Sequence, residues 1–188
     1  MSYVQRRRFL WALFLIGLVL AAIVANATTL VRLPFYKLVE NSSAIARVRC
    51  VSSGTRLENA EVWTDTVFEV LQHDKGFLPS RIVVRTPGGR FQQIRSHVDG
   101  VPEFRPGEEV FLFLAGHPGA QFRIVGWTQG TFRIRTNPHT GAETVTQDSA
   151  DMPVFDPRQN KFTKMGVKDL RIDAFLEKMN KEISRQAL

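Results

Sequence analysis

Apolar and polar positions alternate with period two through most of this chain and follow a period of 3.6 only towards its ends. Leu33 to Asn41 (LPFYKLVEN) predicts a short helix, with Pro34 near its first turn and Phe35, Leu38 and Val39 at helical spacing. The period then changes. In Ala44 to Cys50 the even positions are small or apolar, and Arg47 and Arg49 point the other way. Val62, Thr64, Thr66, Phe68 and Val70 share one face of a second strand over Val62 to Gln72, with Asp65 and Glu69 on the other. Ile82 to Thr86 is a third strand, closed by the turn signal Pro87-Gly88-Gly89. Phe91 to Val98 carries a weaker fourth.

Pro106-Gly107 introduces Val110-Phe111-Leu112-Phe113-Leu114, which is apolar at every position. Such a strand belongs at the centre of a sheet covered on both sides. Gln121 to Trp127 and Thr131 to Thr136 read as a hairpin, with a further short strand near Glu143 to Thr146. Pairing Phe122 with Ile134 and Ile124 with Phe132 turns all four inward and sets Arg123 opposite Arg133 on the outer face. Gln147 to Gly166 has no period and reads as a surface loop. A final amphipathic helix, from about Lys168 to Arg185, places Leu170, Phe175, Leu176, Met179 and Ile183 on one stripe.

These elements predict a mainly β fold: a small, partly open antiparallel barrel of the oligonucleotide/oligosaccharide-binding (OB) type, flanked by two helices. The barrel would occupy residues 28–146, the loop 147–166, and the helix packing on the barrel 167–188. Residues 1–27 have a separate pattern. Arg6-Arg7-Arg8 precedes an unbroken apolar run from Phe9 to Val24, followed by Ala25-Asn26-Ala27. A positive start, an apolar stretch and an A-x-A site together make a secretory signal peptide. The 16-residue run falls short of the roughly 20 apolar residues of a spanning helix. An uncleaved anchor is the alternative and would give the protein its one membrane contact. Arg6 to Leu10 also fits the twin-arginine pattern, but no cofactor signature accompanies it, so the general secretory route is expected. The protein is therefore expected to be exported, to a periplasmic or extracellular location.

Composition narrows the chemistry. The 188 residues carry 25 Lys+Arg against 18 Asp+Glu, one cysteine and 14 phenylalanines, and 44% are apolar. Such a chain builds a core and is not a disordered polyampholyte. One cysteine, Cys50, excludes an internal disulfide framework, a Cys-rich zinc site and a CxxC redox motif. His73, His97, His117 and His139 lie far apart, each beside a turn signal, so neither a metal site nor a cofactor is expected. No G-x-S-x-G elbow is present, and Cys50 falls on the inward face of a strand. Ser42-Ser43 and Ser52-Ser53 read as caps or turns at strand ends. The carboxylate pairs Glu108-Glu109 and Asp148/Asp151 fall in a turn and a polar loop, and no catalytic residue is assigned. Thr86 to Arg90 lacks the Lys-Ser/Thr of a phosphate loop and reads as a turn. Basic residues interleaved with aromatics remain, and Arg123, Arg133 and Arg135 form the candidate binding surface for an anionic polysaccharide or an acidic protein face. Specific nucleic-acid binding is not expected.

The stretch from Ala44 to Phe132 resembles an uncharacterised family of secreted bacterial β-barrel domains, some of which occur beside metalloprotease-like proteins. The landmarks are Ala44 to Val48, Thr64 to Gly76, Val84 with Pro87-Gly88-Gly89, the run Gly100, Pro102, Phe104, Pro106-Gly107-Glu108, Val110, Phe113-Leu114, and finally Gly126, Gln129-Gly130 and Phe132. The strand plan is also similar to netrin and metalloproteinase-inhibitor modules, which rely on an N-terminal cysteine absent here. The resemblance implies fold and compartment, not catalysis. An exported non-catalytic binding or structural module of the cell envelope is the expected function. The alternatives are a partner or inhibitor of a secreted protease, and a hydrolase whose residues are gathered by loops. Intact-mass analysis of the extracytoplasmic protein should find Thr28 as the new terminus; a chain retaining Met1 to Ala27 on membranes would establish the anchor instead.

Overall fold

The computed structural model describes residues 30–186, so the export signal read at residues 1–27 lies outside the described residues. The architecture is mainly β, with two helices, α1 (Phe35–Asn41) and α2 (Ile172–Gln186). An antiparallel sheet holds β1 (Ala44–Glu58), β2 (Glu61–Lys75), β3 (Arg81–Pro87), β6 (Glu109–Ala115), β7 (Arg123–Ile124), β8 (Thr131–Thr136), β9 (Glu143–Gln147) and β12 (Leu170–Arg171). Its order is β12-β9-β8-β6-β1-β2-β3, with β7 also on β6. Two short hairpins stand apart, β4 (Gly89–Phe91) with β5 (Ile94–Ser96), and β10 (Val154–Asp156) with β11 (Lys161–Thr163). As paired, the sheet is open, with β12 and β3 at its edges. A single parallel bridge joins Val84 of β3 to Phe122: the Phe122 N–H donates to the Val83 carbonyl and the Phe122 carbonyl accepts from the Arg85 N–H, both at 2.9 Å. No helix among the described residues is long and apolar enough to cross a membrane.

The expectation of a doubly covered β6 holds: Val110 to Leu114 are all fully buried. Val110, Leu112 and Leu114 join Ala44, Ala46, Val48, Cys50, Phe68, Ile82, Val84, Phe122 and Ile124 in one core. Phe111 and Phe113 face the other way, into a second core with Ile45, Phe132, Val145, Leu38 and Val39 of α1, and Phe175 and Met179 of α2. Alternation along β6 thus separates two cores, one enclosed by curled strands and one capped by helices.

This double burial explains the main departure from the sequence reading. Residues 121–136 do not form a hairpin. β7 and β8 lie end to end along the same edge of β6, pairing Ile124 with Leu114 and Phe132 with Phe111, and a 3-10 turn at Trp127–Gly130 separates them. Phe122 and Ile124 therefore enter the first core, whereas Phe132 enters the second with Ile134 packed against it. A strand with two apolar faces offers a place to both, and the hairpin's inward pairing is not needed. The aperiodic stretch from Gln147 to Gly166 also differs. It contains the β10–β11 hairpin and buries Gln147, Ser149, Ala150, Val154 and Asp156. Helix α2 begins at Ile172, because Leu170 and Arg171 pair with β9 as a strand.

Buried carboxamides tie the ends of the chain to this sheet. Gln129 donates from Nε2 to the Val31 carbonyl at 2.8 Å and accepts from the Leu33 N–H at 2.7 Å, standing in for a strand neighbour. Gln147 Nε2 donates to the Gln129 carbonyl at 2.5 Å, and its Oε1 accepts from the Val167 N–H at 3.2 Å. If β6 carries the first core, Leu112→Ala should cost about 2–5 kcal/mol, through lost transfer energy and the cavity left in that core. Chemical denaturation beside Lys181→Ala measures it; coincident midpoints would mean that Leu112 is not in a filled core.

Candidate functional site

The outer half of the β1–β2 hairpin changes character at one residue. Cys50 pairs with Phe68 and Ser52 with Val67, so Val51 is an extra residue, a bulge in β1. Before it, even positions face the first core. After it, odd positions do, and Ser53 comes opposite Thr66 and Thr55 opposite Thr64. Ser53 and Thr66 share a hydrogen bond of 2.5 Å between their hydroxyls. On β3, Thr86 lies opposite Thr64. Beyond Phe68, Ser53, Thr55, Thr64, Thr66 and Thr86 thus set a floor of hydroxyls on the inner face, with the buried Val84 beside Thr66 and Val62 at its outer end. Ser52-Ser53 is not at a strand end, as its sequence context suggests, but inside a 15-residue strand.

The Pro87-Gly88-Gly89 turn puts a roof over this floor. Gly88 and Gly89 have φ of +89° and +127°, backbone that L side chains rarely adopt, and they reverse the chain onto the face it has just left. A Cβ on Gly89 would meet Thr64 Oγ1 at 2.5 Å and Thr55 Cγ2 at 2.7 Å, so the roof rests directly on the floor. Thr64 Oγ1 donates to the Gly88 carbonyl, and Thr55 Oγ1 to the Arg90 carbonyl, both at 2.7 Å. Between the β4–β5 hairpin, the floor and the segment Val98–Phe104 runs a groove of about 390 Å³. Ser53, Thr64, Thr66 and Thr86 line its base, Arg90, Arg95 and His97 one wall, and Val101, Pro102, Glu103 and Phe104 the other. The Phe104 ring meets Phe68 edge-on at 5.0 Å and so joins groove to core. A second, more open hollow of about 510 Å³ lies by the edge of β3, between Pro79–Val83 and Gly119–Phe122.

The arginines selected from the sequence fall elsewhere. Arg123 pairs with Ala115 and lies on the Phe111 face of the sheet, exposed; Arg133 pairs with Val110 and lies on the opposite face. They are not cross-strand neighbours, and the expected like-charge pair does not exist. Arg133 is half-buried and engaged: Nε donates to Asp148 Oδ1 at 2.8 Å, NH2 to Asp148 Oδ2 and the Glu103 carbonyl at 2.8 Å, and NH1 meets Glu108 at 2.6 Å. Its guanidinium also lies 5.1 Å from the centre of the Phe104 ring. Burial opposes its charge, but the bonds to Asp148 and Glu108 prevail and hold its pKa above the usual arginine range. Arg135 is exposed on β8, two residues further along the Arg133 face. The three arginines are thus not gathered into one surface.

The remaining candidates of the sequence reading are spent in pairs. Glu109 opens β6, half-buried between Arg47 and Arg49 at 2.7 Å from each. Burial alone would raise its pKa; the two arginines outweigh that and bring it below the usual carboxylate range. Glu143 takes the other side of Arg47, at 2.7 Å. Asp151 pairs with Lys168 at 2.8 Å. Neither carboxylate pair is therefore an acid/base dyad. Cys50 is buried in the first core, and burial pushes its thiol up. The four histidines are exposed and separate, with His97 3.1 Å from Asp99. Among the described residues no group of three His, Cys, Asp or Glu side chains is placed to hold a metal ion.

The chain matches no family model, no curated protein and no solved structure. The groove therefore rests on its own geometry. Gly89→Ala should destabilise the protein by more than Gly107→Ala. Both positions have positive φ, a strain of about 1–2 kcal/mol for an L residue, but Gly107 has open space where Gly89 would strike Thr64 and Thr55. Equal losses in denaturant would mean that the hairpin does not rest on the floor.

Proposed function

We propose that the protein is an exported binding module of the cell envelope, and that its ligand lies in the groove beneath the β4–β5 hairpin. One observation carries this reading. An inner sheet face that is apolar up to Phe68 turns into hydroxyls at a bulge and is then roofed by a glycine turn of two unusual backbone conformations. A face built for the core alone has no use for that change. Each hydroxyl offers one donor and two acceptor lone pairs, and the contacts within the protein use only part of that capacity. Pockets of a few hundred Å³ with a few convergent polar groups are where small ligands bind.

The export reading comes from the amino-terminal sequence and the resemblance. The curled sheet is read, more finely, as a partly open OB-like barrel. The Val84–Phe122 bridge supports this, because it links β3 to the segment entering β7 and so relates the two margins of the β6-β1-β2-β3 layer. On such a fold the groove lies at one end of the barrel, beside the apolar interior.

Adjacent serines test the reading, since Ser53 lines the groove and Ser52 pairs with Val67 on the opposite face. The immobilised protein should retain material from the total polysaccharide extract of its native envelope. Ser53→Trp, which plugs the groove, should abolish retention, and Ser52→Trp should leave it within about twofold. Equal retention by both variants, or none by the unaltered protein, would refute the groove as the ligand site.

A further inference from the structure

The roof of the groove carries a local conflict. In the β4–β5 hairpin, Gly89 pairs with Ser96, Phe91 with Ile94, and Arg90 directly with Arg95. Like charges opposite one another on a two-stranded ribbon oppose its formation. Both residues are exposed and both belong to the groove lining. Neither forms an ion pair among the described residues, although Arg32, Arg47, Arg49, Arg56, Arg85, Arg133, Arg171 and Arg185 all do. Arg85 is held by Asp65 and Glu58, and Arg133 by Asp148 and Glu108. Arg81, Arg105, Arg123, Arg135 and Arg158 are likewise without an ion pair among the described residues, so what distinguishes Arg90 and Arg95 is that they face each other across the hairpin and both belong to the groove lining.

We infer that the ligand is an acidic polysaccharide, with a sugar carboxylate held between Arg90 and Arg95 and its ring hydroxyls on the floor of Ser53, Thr66 and Thr86. The inference rests on the groove being the ligand site. Two guanidinium groups present planar donor forks that match a carboxylate. The rest of the lining fits a sugar better than a nucleobase or a bare anion. Hydroxyls at the base meet a ring's polar edge, and Val98, Val101 and Pro102 offer apolar surface to its C–H face. Phe104 is already engaged by Phe68 and Arg133, so it is not a free stacking platform, and the exposed His97 ring in the other wall lies 3.1 Å from Asp99. Glu103 is an acid in the same wall, and it favours a carboxylate seated at the arginine end.

The full chain should be titrated with polygalacturonate and with the same polymer methyl-esterified, which keeps the sugar and removes the charge. The expected result is binding of the free acid at least tenfold tighter than of the ester, weakening as salt is raised. Arg90→Gln/Arg95→Gln should weaken it at least tenfold, while Arg123→Gln/Arg135→Gln, two exposed arginines away from the groove, should change it less than twofold. Thr86→Val should weaken both polymers. Without ligand, Arg95→Glu should raise the melting temperature, because it replaces repulsion by attraction across the hairpin; an unchanged or lower value would contradict the conflict on which the inference stands. Equal binding of acid and ester that Ser53→Trp abolishes would keep the groove and overturn the anionic ligand. Poly-L-glutamate binding as tightly as the acid would overturn the sugar in favour of an acidic protein face, and no binding of the acid at millimolar uronate would overturn the inference outright.

Discussion

A strand with no solvent face organises this molecule. Fixing one residue's backbone costs about 1–2 kcal/mol, and fully burying a Val, Leu or Phe side chain returns about 1.5–3 kcal/mol. A strand that buries every second side chain barely breaks even on those terms. β6 buries all five from Val110 to Leu114 and so gains more per ordered residue than a strand with one solvent face. It can therefore hold neighbours that could not hold themselves: the inner half of β1 on one edge, and on the other the two-residue β7 and the short β8, end to end. Its two faces also dictate two coverings. One is the curl of β1, β2 and β3 toward Phe122, and the other is the helix pair with Phe175 and Met179.

The groove is what remains where that logic ends. β6 pairs with β1 only from Ala44 to Arg49, so the outer halves of β1 and β2 extend beyond the strand that could bury them. The bulge at Val51 lies at this limit and brings hydroxyls to the inner face, where solvent or a ligand can satisfy them. The glycine turn then folds β4 and β5 back over the surface. Below the groove, Phe104 lies between the edge contact with Phe68 and the guanidinium of Arg133. Arg133 is thus a support of the groove wall from beneath, bonded to the Glu103 carbonyl, and its place in the structure is that of a bracket.

Much of this fold was legible because alternation reports burial directly. β2, β3, β6 and both helices are legible to within a few residues, β1 is legible at its start but not in its outer half from Val51 to Glu58, and the all-apolar reading of Val110 to Leu114 locates the centre of the sheet. The failures have specific causes. The Val51 bulge shifts parity by one, and the run Ser52-Ser53-Gly54 just after it resembles a turn, so the strand reads as finished at Cys50. The β4–β5 hairpin turns at Gln92-Gln93, a pair with no turn signature, although Gln92 has a φ of +52°. Arg90 therefore reads as part of the Thr86–Arg90 turn and Arg95 as part of the weak strand from Phe91 to Val98, not as a cross-strand pair. Residues 121–136 were mispaired because two inward-facing sets were assigned to one interior when the sheet has two. The motif Pro87-Gly88-Gly89 was visible as a turn; that it folds the chain back over threonines from another strand is tertiary information.

The central claim is that the hydroxyl floor and the Arg90–Arg95 roof form one carboxylate-binding groove. It is tested most directly by following the amide resonances of the ¹⁵N-labelled protein during titration with trigalacturonate. The account predicts that Ser53, Gly88, Gly89, Arg90, Arg95 and Ser96 move together along one saturating curve, with Arg123 and Arg135 still. Movement centred on Arg123 and Arg135, or shifts scattered over the surface without saturation, would contradict it.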